Sequence, residues 1–226
     1  MKIAIRTIAT LAMVPLAALL IGAQDDRPPQ ADGLPLVLKF DPPARGLDAW
    51  EFTDPRAWKL AERDGRTVLD QFQGSRYGPK VRSPFNIALA RGVDVADCVI
   101  DFRVQSTVPD YKHRDVCIFF SHQDATHFYY AHIASAADDQ GHAIFLVNGK
   151  DRTPLAGKRS EGVAWTDGWH HVRLVRKGDL AEVYFDDMTR PIISARDATF
   201  SHGRIGIGTF DDTARFDGIR AWGSKP

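Results

Sequence analysis

The sequence predicts an all-β fold, a two-sheet antiparallel jelly-roll sandwich, and three observations carry that expectation. Short apolar runs that alternate with period two recur along the chain, separated by Gly, Asp and Pro, and no long stretch follows the 3.6-residue period of a helix. Glu51, Glu62, Glu161 and Glu182 are the only glutamates among 29 acidic residues, and the aspartates that make up the rest favour turns, caps and metal loops over helix interiors. No repeat of a propeller or solenoid stands out.

The elements follow in order. Lys2 and Arg6 precede an apolar run from Thr7 to Gly22, and Gln24, Asp25 and Asp26 follow Ala23 directly. This pattern predicts a cleaved secretory signal over residues 1–23, with export to the periplasm or medium. The run is about 16 residues and contains Pro15, where a membrane span needs about 20. Residues 24–33 are polar and without period, which predicts a flexible tether, and residues 34–226 a single jelly-roll domain. Strands are expected over 35–40, 57–62, 66–72, 84–90, 97–106, 114–122, 127–134, 142–148, 169–176, 181–186, 190–194, 203–210 and 214–222.

Parity within these strands assigns faces. Over 97–106, Cys98, Ile100, Phe102 and Val104 share the core side, and over 114–122 it is Val116, Ile118 and Phe120. Asp115, Cys117, Phe119 and Ser121 then point outward. If these two strands pair as a hairpin, Asp101, Arg103 and Gln105 lie beside them, and Cys98 and Cys117 sit on opposite faces as free thiols. Over 127–134, Tyr129, Ala131 and Ile133 read as core, leaving Tyr130 and His132 on an open face. Over 142–148, alternation leaves open which set points out. Lys177-Gly178-Asp179 and Asp124-Ala125-Thr126 read as hairpin turns, and Val172, Leu174, Val183 and Phe185 as one buried face. Gly206 and Gly208 suggest close approach of a neighbour.

With 29 basic and 29 acidic side chains the charges balance, which argues against a basic face for nucleic acid, and no membrane contact is expected once the leader is removed. The stretch 111–152 concentrates His113, His122, His127, His132 and His142 among aromatic and charged residues. Flat rings for the CH faces of a sugar, with fixed donors and acceptors for its hydroxyls, nominate Arg103, Asp115, Tyr130, His132 and Arg152 as a glycan or glycoside site. Asp211, Asp212 and Asp217 suit the oxygen shell of a structural calcium ion, with no other cofactor required. His122 and His127, flanking a turn, lack an evident third ligand for zinc.

Several motifs together resemble a known superfamily. They are Trp58-Lys59-Leu60 with Asp64-Gly65, Arg82-Ser83-Pro84, Cys98-Val99-Ile100-Asp101-Phe102, Trp169-His170-His171-Val172-Arg173-Leu174, Val183-Tyr184-Phe185-Asp186-Asp187, and Gly203-Arg204-Ile205-Gly206-Ile207-Gly208 leading to Phe216-Asp217-Gly218-Ile219-Arg220-Ala221-Trp222. The chain is similar to the concanavalin A-like lectin/glucanase superfamily, within it to LamG-like domains and exported bacterial 3-keto-disaccharide hydrolase-like domains. The resemblance implies a ligand on the concave outer face of a curved sheet. The paired-carboxylate Glu-x-Asp-x-x-Glu strand of the retaining glucanases is absent from this sequence. Resemblance to the 3-keto group implies instead a glycoside cleaved by proton abstraction, for which His132 with Tyr130 or Asp115 is the candidate base. A non-catalytic LamG-like adhesion role is the third class, and it predicts an apolar surface patch in place of a polar groove.

Overall fold

A computed structural model describes residues 27–40, 42 and 46–226. The leader expected over 1–23 lies outside the described residues. Among the described residues sixteen strands follow one another: β1 (Leu36–Lys39), β2 (Trp50–Phe52), β3 (Trp58–Arg63), β4 (Arg66–Gln71), β5 (Asn86–Ala90), β6 (Cys98–Ser106), β7 (Asp115–Asp124), β8 (His127–Ala134), β9 (Ala143–Asn148), β10 (Thr153–Pro154), β11 (Gly157–Arg159), β12 (His170–Lys177), β13 (Leu180–Phe185), β14 (Ile193–Arg196), β15 (Arg204–Thr209) and β16 (Ala214–Gly223). They form two antiparallel sheets. One has nine strands, in the order β11-β14-β13-β12-β6-β16-β4-β3 with β1 added to β16, and the other seven, in the order β10-β9-β8-β7-β15-β5-β2. Among the described residues no helix is long and apolar enough to cross a membrane.

The inner faces interdigitate as the alternation predicts. Ile100, Phe102 and Val104 of β6, Val172 and Leu174 of β12 and Val183 and Phe185 of β13 meet Val116, Ile118 and Phe120 of β7 and Tyr129, Ala131 and Ile133 of β8 in one buried cluster. Each such side chain, fully buried, contributes about 1.5–3 kcal/mol. The turn at Gly178 (φ 58°) closes the β12–β13 hairpin, and a Cβ on Gly208 would lie 1.8 Å from the Asn86 carbonyl oxygen, so β15 and β5 approach as glycine alone permits.

Three expectations are corrected. Strands β6 and β7 are not a hairpin: they belong to different sheets, so the outward faces of Arg103 and Asp115 lie on opposite sides of the sandwich. Cys98 and Cys117 are free, as expected, but they belong to different sheets and not to one hairpin, and Cys117, expected on an open face, is buried in an outer layer while Cys98 lies in the core. The second half of the presumed tether is docked: Pro29–Ala31 forms a 3-10 turn, Ala31 is buried against Val99 and Trp222, and the Arg27 guanidinium donates to the Leu34 carbonyl at 2.7 Å.

A further correction bears on function. The outward face of the seven-stranded sheet is not an open polar surface, because Ile87, Leu89, Cys117, Phe119, Phe128, Tyr130, Ala143, Phe145 and Val147 form a second buried layer there, with Val81 and Phe210 packed on it. This settles the face of β9, with Ile144 in the core and Ala143, Phe145 and Val147 outward. A bulge in β7 at Ser121 (φ 46°) breaks parity and turns His122 onto Phe128, ring centroids 5.0 Å apart. The segment 73–85 straps this layer. The Ser75 amide donates to Asn86 Oδ1 (2.8 Å), the Arg82 amide to Asp151 Oδ1 (2.8 Å), and the Arg152 amide to the Arg82 carbonyl (3.1 Å).

Candidate functional site

Strands β7, β8 and β9 place Asp115, His132, Tyr130 and Phe145 on the outward face of the seven-stranded sheet, and the turn after β15 adds Phe210, Asp211 and Asp212. Arg152, from the turn between β9 and β10, is the centre of the arrangement. Its guanidinium lies over the Phe145 ring (4.5 Å) and the Phe210 ring (4.3 Å), and donates to the Tyr130 hydroxyl and to the Gln140 carbonyl, both at 2.6 Å. Two aromatic faces and two oxygen acceptors hold the planar cation in one orientation. The Tyr130 phenol is fully buried, and burial pushes its pKa well above the usual value, so it stays neutral.

His132 stacks on Phe210, centroids 5.7 Å apart and planes 13° from parallel. Its Nδ1 faces Arg152 Nη1 at 3.3 Å, and since arginine can only donate, Nδ1 is the acceptor and Nε2 carries the hydrogen. Nε2 lies 3.2 Å from Asp115 Oδ2 without hydrogen-bond alignment, and it is buried with no acceptor of its own. Asp115 is fully buried. Its Oδ2 accepts from the Phe210 amide (2.9 Å) and the Cys117 thiol (3.3 Å), whereas Oδ1 has no donor. Burial, then the charge of Asp115, pushes the Cys117 thiol up, so it is a neutral donor. Burial, again with Asp115 next, raises Asp212 to about 7 and Asp211 above its ordinary value.

Above these groups a cavity of about 250 Å³ is lined by Arg82, Tyr111, His113, His132, Gln140, Arg152, Phe210 and Asp211. Of the residues nominated from sequence, Asp115, Tyr130, His132 and Arg152 meet here. Arg103 does not: it projects from the outer face of the nine-stranded sheet and is bound to Asp217, which also pairs with Arg66 at 3.3 Å. Asp217 is therefore removed from Asp211 and Asp212, and the expected calcium triad does not form. Asp115 takes its place, with one oxygen each of Asp115, Asp211 and Asp212 within 4.8 Å of the others. Asp212 is buried, accepting from the Asp115 amide at 2.9 Å and from the Tyr111 hydroxyl.

Phe210, Phe145, Gln140, Arg82 and Tyr111 were not nominated from sequence. Phe210 closes a strand and Arg82 belongs to a noted motif, yet nothing local says that the strap and the β15–β16 turn meet over β8. A second cavity of about 350 Å³ lies toward the other end of the same sheet, between Tyr77, Ile87, Leu89, His122 and Arg204.

No protein-family model matches the chain, and no curated protein is significantly similar to it. Solved structures are similar in fold. The carbohydrate-binding module CBM66 from Bacillus subtilis aligns with a TM-score of 0.54 at 18% identity, over 77% of this chain and 95% of that one. A putative glycosyl hydrolase from Parabacteroides distasonis aligns at 0.54 and 12% identity, over 80% and 96%, and a Bacillus subtilis protein of unknown function with a galectin-like fold at 0.53 and 10%, over 83% and 95%. At these identities the likeness is one of architecture, and it agrees with the strand order: the chain has a two-sheet antiparallel jelly-roll fold.

Proposed function

We propose that the chain is an exported carbohydrate-binding domain that seats one sugar ring of a glycan or glycoside in the cavity lined by Arg82, Tyr111, Gln140, Arg152, Phe210 and Asp211. The observation that carries this reading is the composition of that cavity. The exposed ring of Tyr111 and the partly buried ring of Phe210 lie beside the directional donors of Arg82 and Arg152 and the acceptors of Gln140 and Asp211, the combination a polyhydroxylated ring requires. Its volume of about 250 Å³ is just below the roughly 300 Å³ at which pockets for drug-sized ligands begin, which suits a single ring with the rest of the glycan outside. The architectural likeness to CBM66 supports the same class of ligand.

Binding is favoured over cleavage by the tautomer of His132. A base that removes a C–H proton needs a free lone pair facing the substrate. The only lone pair of His132 faces Arg152, and its N–H faces the Asp115 side. The test is to incubate the chain with a panel of polysaccharides, oligosaccharides and 3-keto-glycosides, following retention by calorimetry and product by chromatography. Retention that is lost in Arg152→Ala, without product, is the expected result. Turnover lost in His132→Ala would replace this reading with the elimination mechanism, and silence on both counts would refute it.

A further inference from the structure

The second cavity, of about 350 Å³, lies toward the other end of the seven-stranded sheet. Cys117, opposite His132, and His122 stand roughly 15 Å apart along β7 at about 3.3 Å per residue, so a ring seated in the first cavity does not reach the second. Ile87 and Leu89, both buried in the outer layer, line it together with Tyr77 of the strap and His122 of the β7 bulge. Among the described residues the other polar groups around it already have partners. Thr53 Oγ1 donates to the Phe85 carbonyl at 2.7 Å, Glu51 pairs with Arg204 at 3.2 Å and Asp124 with His127 at 2.9 Å, and the Gln123 amide donates to the His202 carbonyl. His122 is the exception: it is 7% exposed, and its Nδ1 is buried with no partner. The fold places that imidazole against resistance. Regular alternation along β7 puts Ser121 on this face; the bulge that replaces it with His122 leaves Ser121 at φ 46° with its own hydroxyl buried and unpartnered. It also requires glycine at 203, where a Cβ would lie 2.4 Å from the Ser121 carbonyl carbon. A strained backbone, an orphaned imidazole nitrogen and a cavity coincide at one point.

We propose that this cavity is a second binding site, for a neutral hydroxylated aromatic ring of the phenol class, which packs on Ile87 and Leu89 and hydrogen-bonds through its hydroxyl to the His122 imidazole. Two aliphatic side chains beside the Tyr77 ring suit a flat apolar body. The charged groups at the rim are already paired, so an anion or a cation entering would be desolvated without a counter-charge of its own. Burial, then the charge of Arg204, holds the imidazole neutral, and a neutral ring both donates and accepts. A sugar ring fits poorly, since it would bury several hydroxyls where His122 and the Tyr77 phenol, itself kept neutral by burial, are the open polar groups. The site stands independently of the carbohydrate reading of the first cavity.

The full chain is titrated with 2-naphthol, whose own fluorescence reports its entry into an apolar site, and with methyl 4-hydroxybenzoate by calorimetry. One site per chain is expected. Methyl benzoate, which lacks the hydroxyl, binds the native chain roughly three- to tenfold less tightly than methyl 4-hydroxybenzoate, the worth of one hydrogen bond. The 4-hydroxybenzoate anion binds roughly tenfold less tightly again, because its charge finds no unpaired partner. His122→Phe keeps a ring against Phe128, removes both nitrogens and abolishes the preference for the hydroxyl, whereas Arg103→Ala, on the opposite face of the sandwich, leaves it unchanged. Absence of saturable binding at millimolar phenol overturns the proposal. So does equal binding of methyl benzoate and its hydroxylated form by the native chain, a comparison that needs no variant to fold. Displacement of 2-naphthol by methyl glucoside also overturns it, and would make the cavity a second sugar site.

Discussion

Replacing Arg152 with alanine removes the one side chain that ties the β9–β10 turn to the aromatic layer, and the cost can be worked from its contacts. The guanidinium sits 4.5 Å and 4.3 Å from two ring centroids, each contact contributing about 0.5–1 kcal/mol at a partly exposed position. Its hydrogen bond to the fully buried Tyr130 hydroxyl is charge-assisted and contributes about 1.5–3 kcal/mol. Against this sum stands about 2 kcal/mol of side-chain entropy released when the arginine is removed. The net is about 2 kcal/mol, which for a chain of this size lowers the melting temperature by roughly 4–8 °C. Arg152→Lys keeps the charge but not the planar fork, and falls between the two. Differential scanning calorimetry measures both, with Arg103→Ala as the control on the opposite face, where a surface pair is expected to contribute under about 1 kcal/mol. A fall under 2 °C for Arg152→Ala, or one no larger than that of Arg103→Ala, would refute the central role given to Arg152.

Neither thiol is accessible, and burial pushes Cys98 up to about 12, so a chromogenic disulfide reagent should find no thiol in the native chain and two after denaturation. Ala31 is sealed against Val99 and Trp222, so Ala31→Asp should lower the melting temperature by several degrees, a loss that a freely moving tether would not suffer. Burial holds the His122 and His142 imidazoles neutral, their pKa values lowered to about 4 from an unfolded value near 6.5. The unfolded chain therefore binds more protons between these values, so stability is present above pH 6.5 and is lost as pH falls toward 4, by on the order of several kcal/mol for the pair. His122→Phe should flatten the pH dependence of urea unfolding over that window, and an unchanged slope would show that His122 is not held neutral.

Local alternation was enough to orient most of the site. Tyr130 and His132 share the side of β8 opposite Tyr129 and Ile133, because successive side chains of a strand must point to opposite faces whatever the rest of the chain does. What parity cannot say is which strand lies alongside. Arg103 has the outward orientation its position predicts, yet the sandwich sends it to the other exterior, because residues 107–114 carry the chain from one sheet to the other. Among the faces assigned from sequence, parity failed at Ser121, where β7 carries one extra residue against β15 and two against β8 and presents His122 in its place.

The calcium expectation shows the same division. Asp211 and Asp212 were visible as a pair of oxygen donors in a turn, but Asp217, close in sequence, lies across the molecule because β16 crosses into the nine-stranded sheet, while Asp115, almost a hundred positions away, is brought alongside. By itself the sequence determined the fold class, all the strands but the short β2, β10 and β11, the inward faces it assigned and the free state of both cysteines, since each depends on periodicity and turn chemistry within a few residues. Only the tertiary structure decided that the outward face of the seven-stranded sheet is a second buried layer, that Arg152 reaches over Phe145 and Phe210, and that Asp115 ends with a buried oxygen unpaired. These depend on the strap 73–85 and the β15–β16 turn closing over strands far away in sequence, and non-local closure of that kind leaves no periodic trace in the residues that take part.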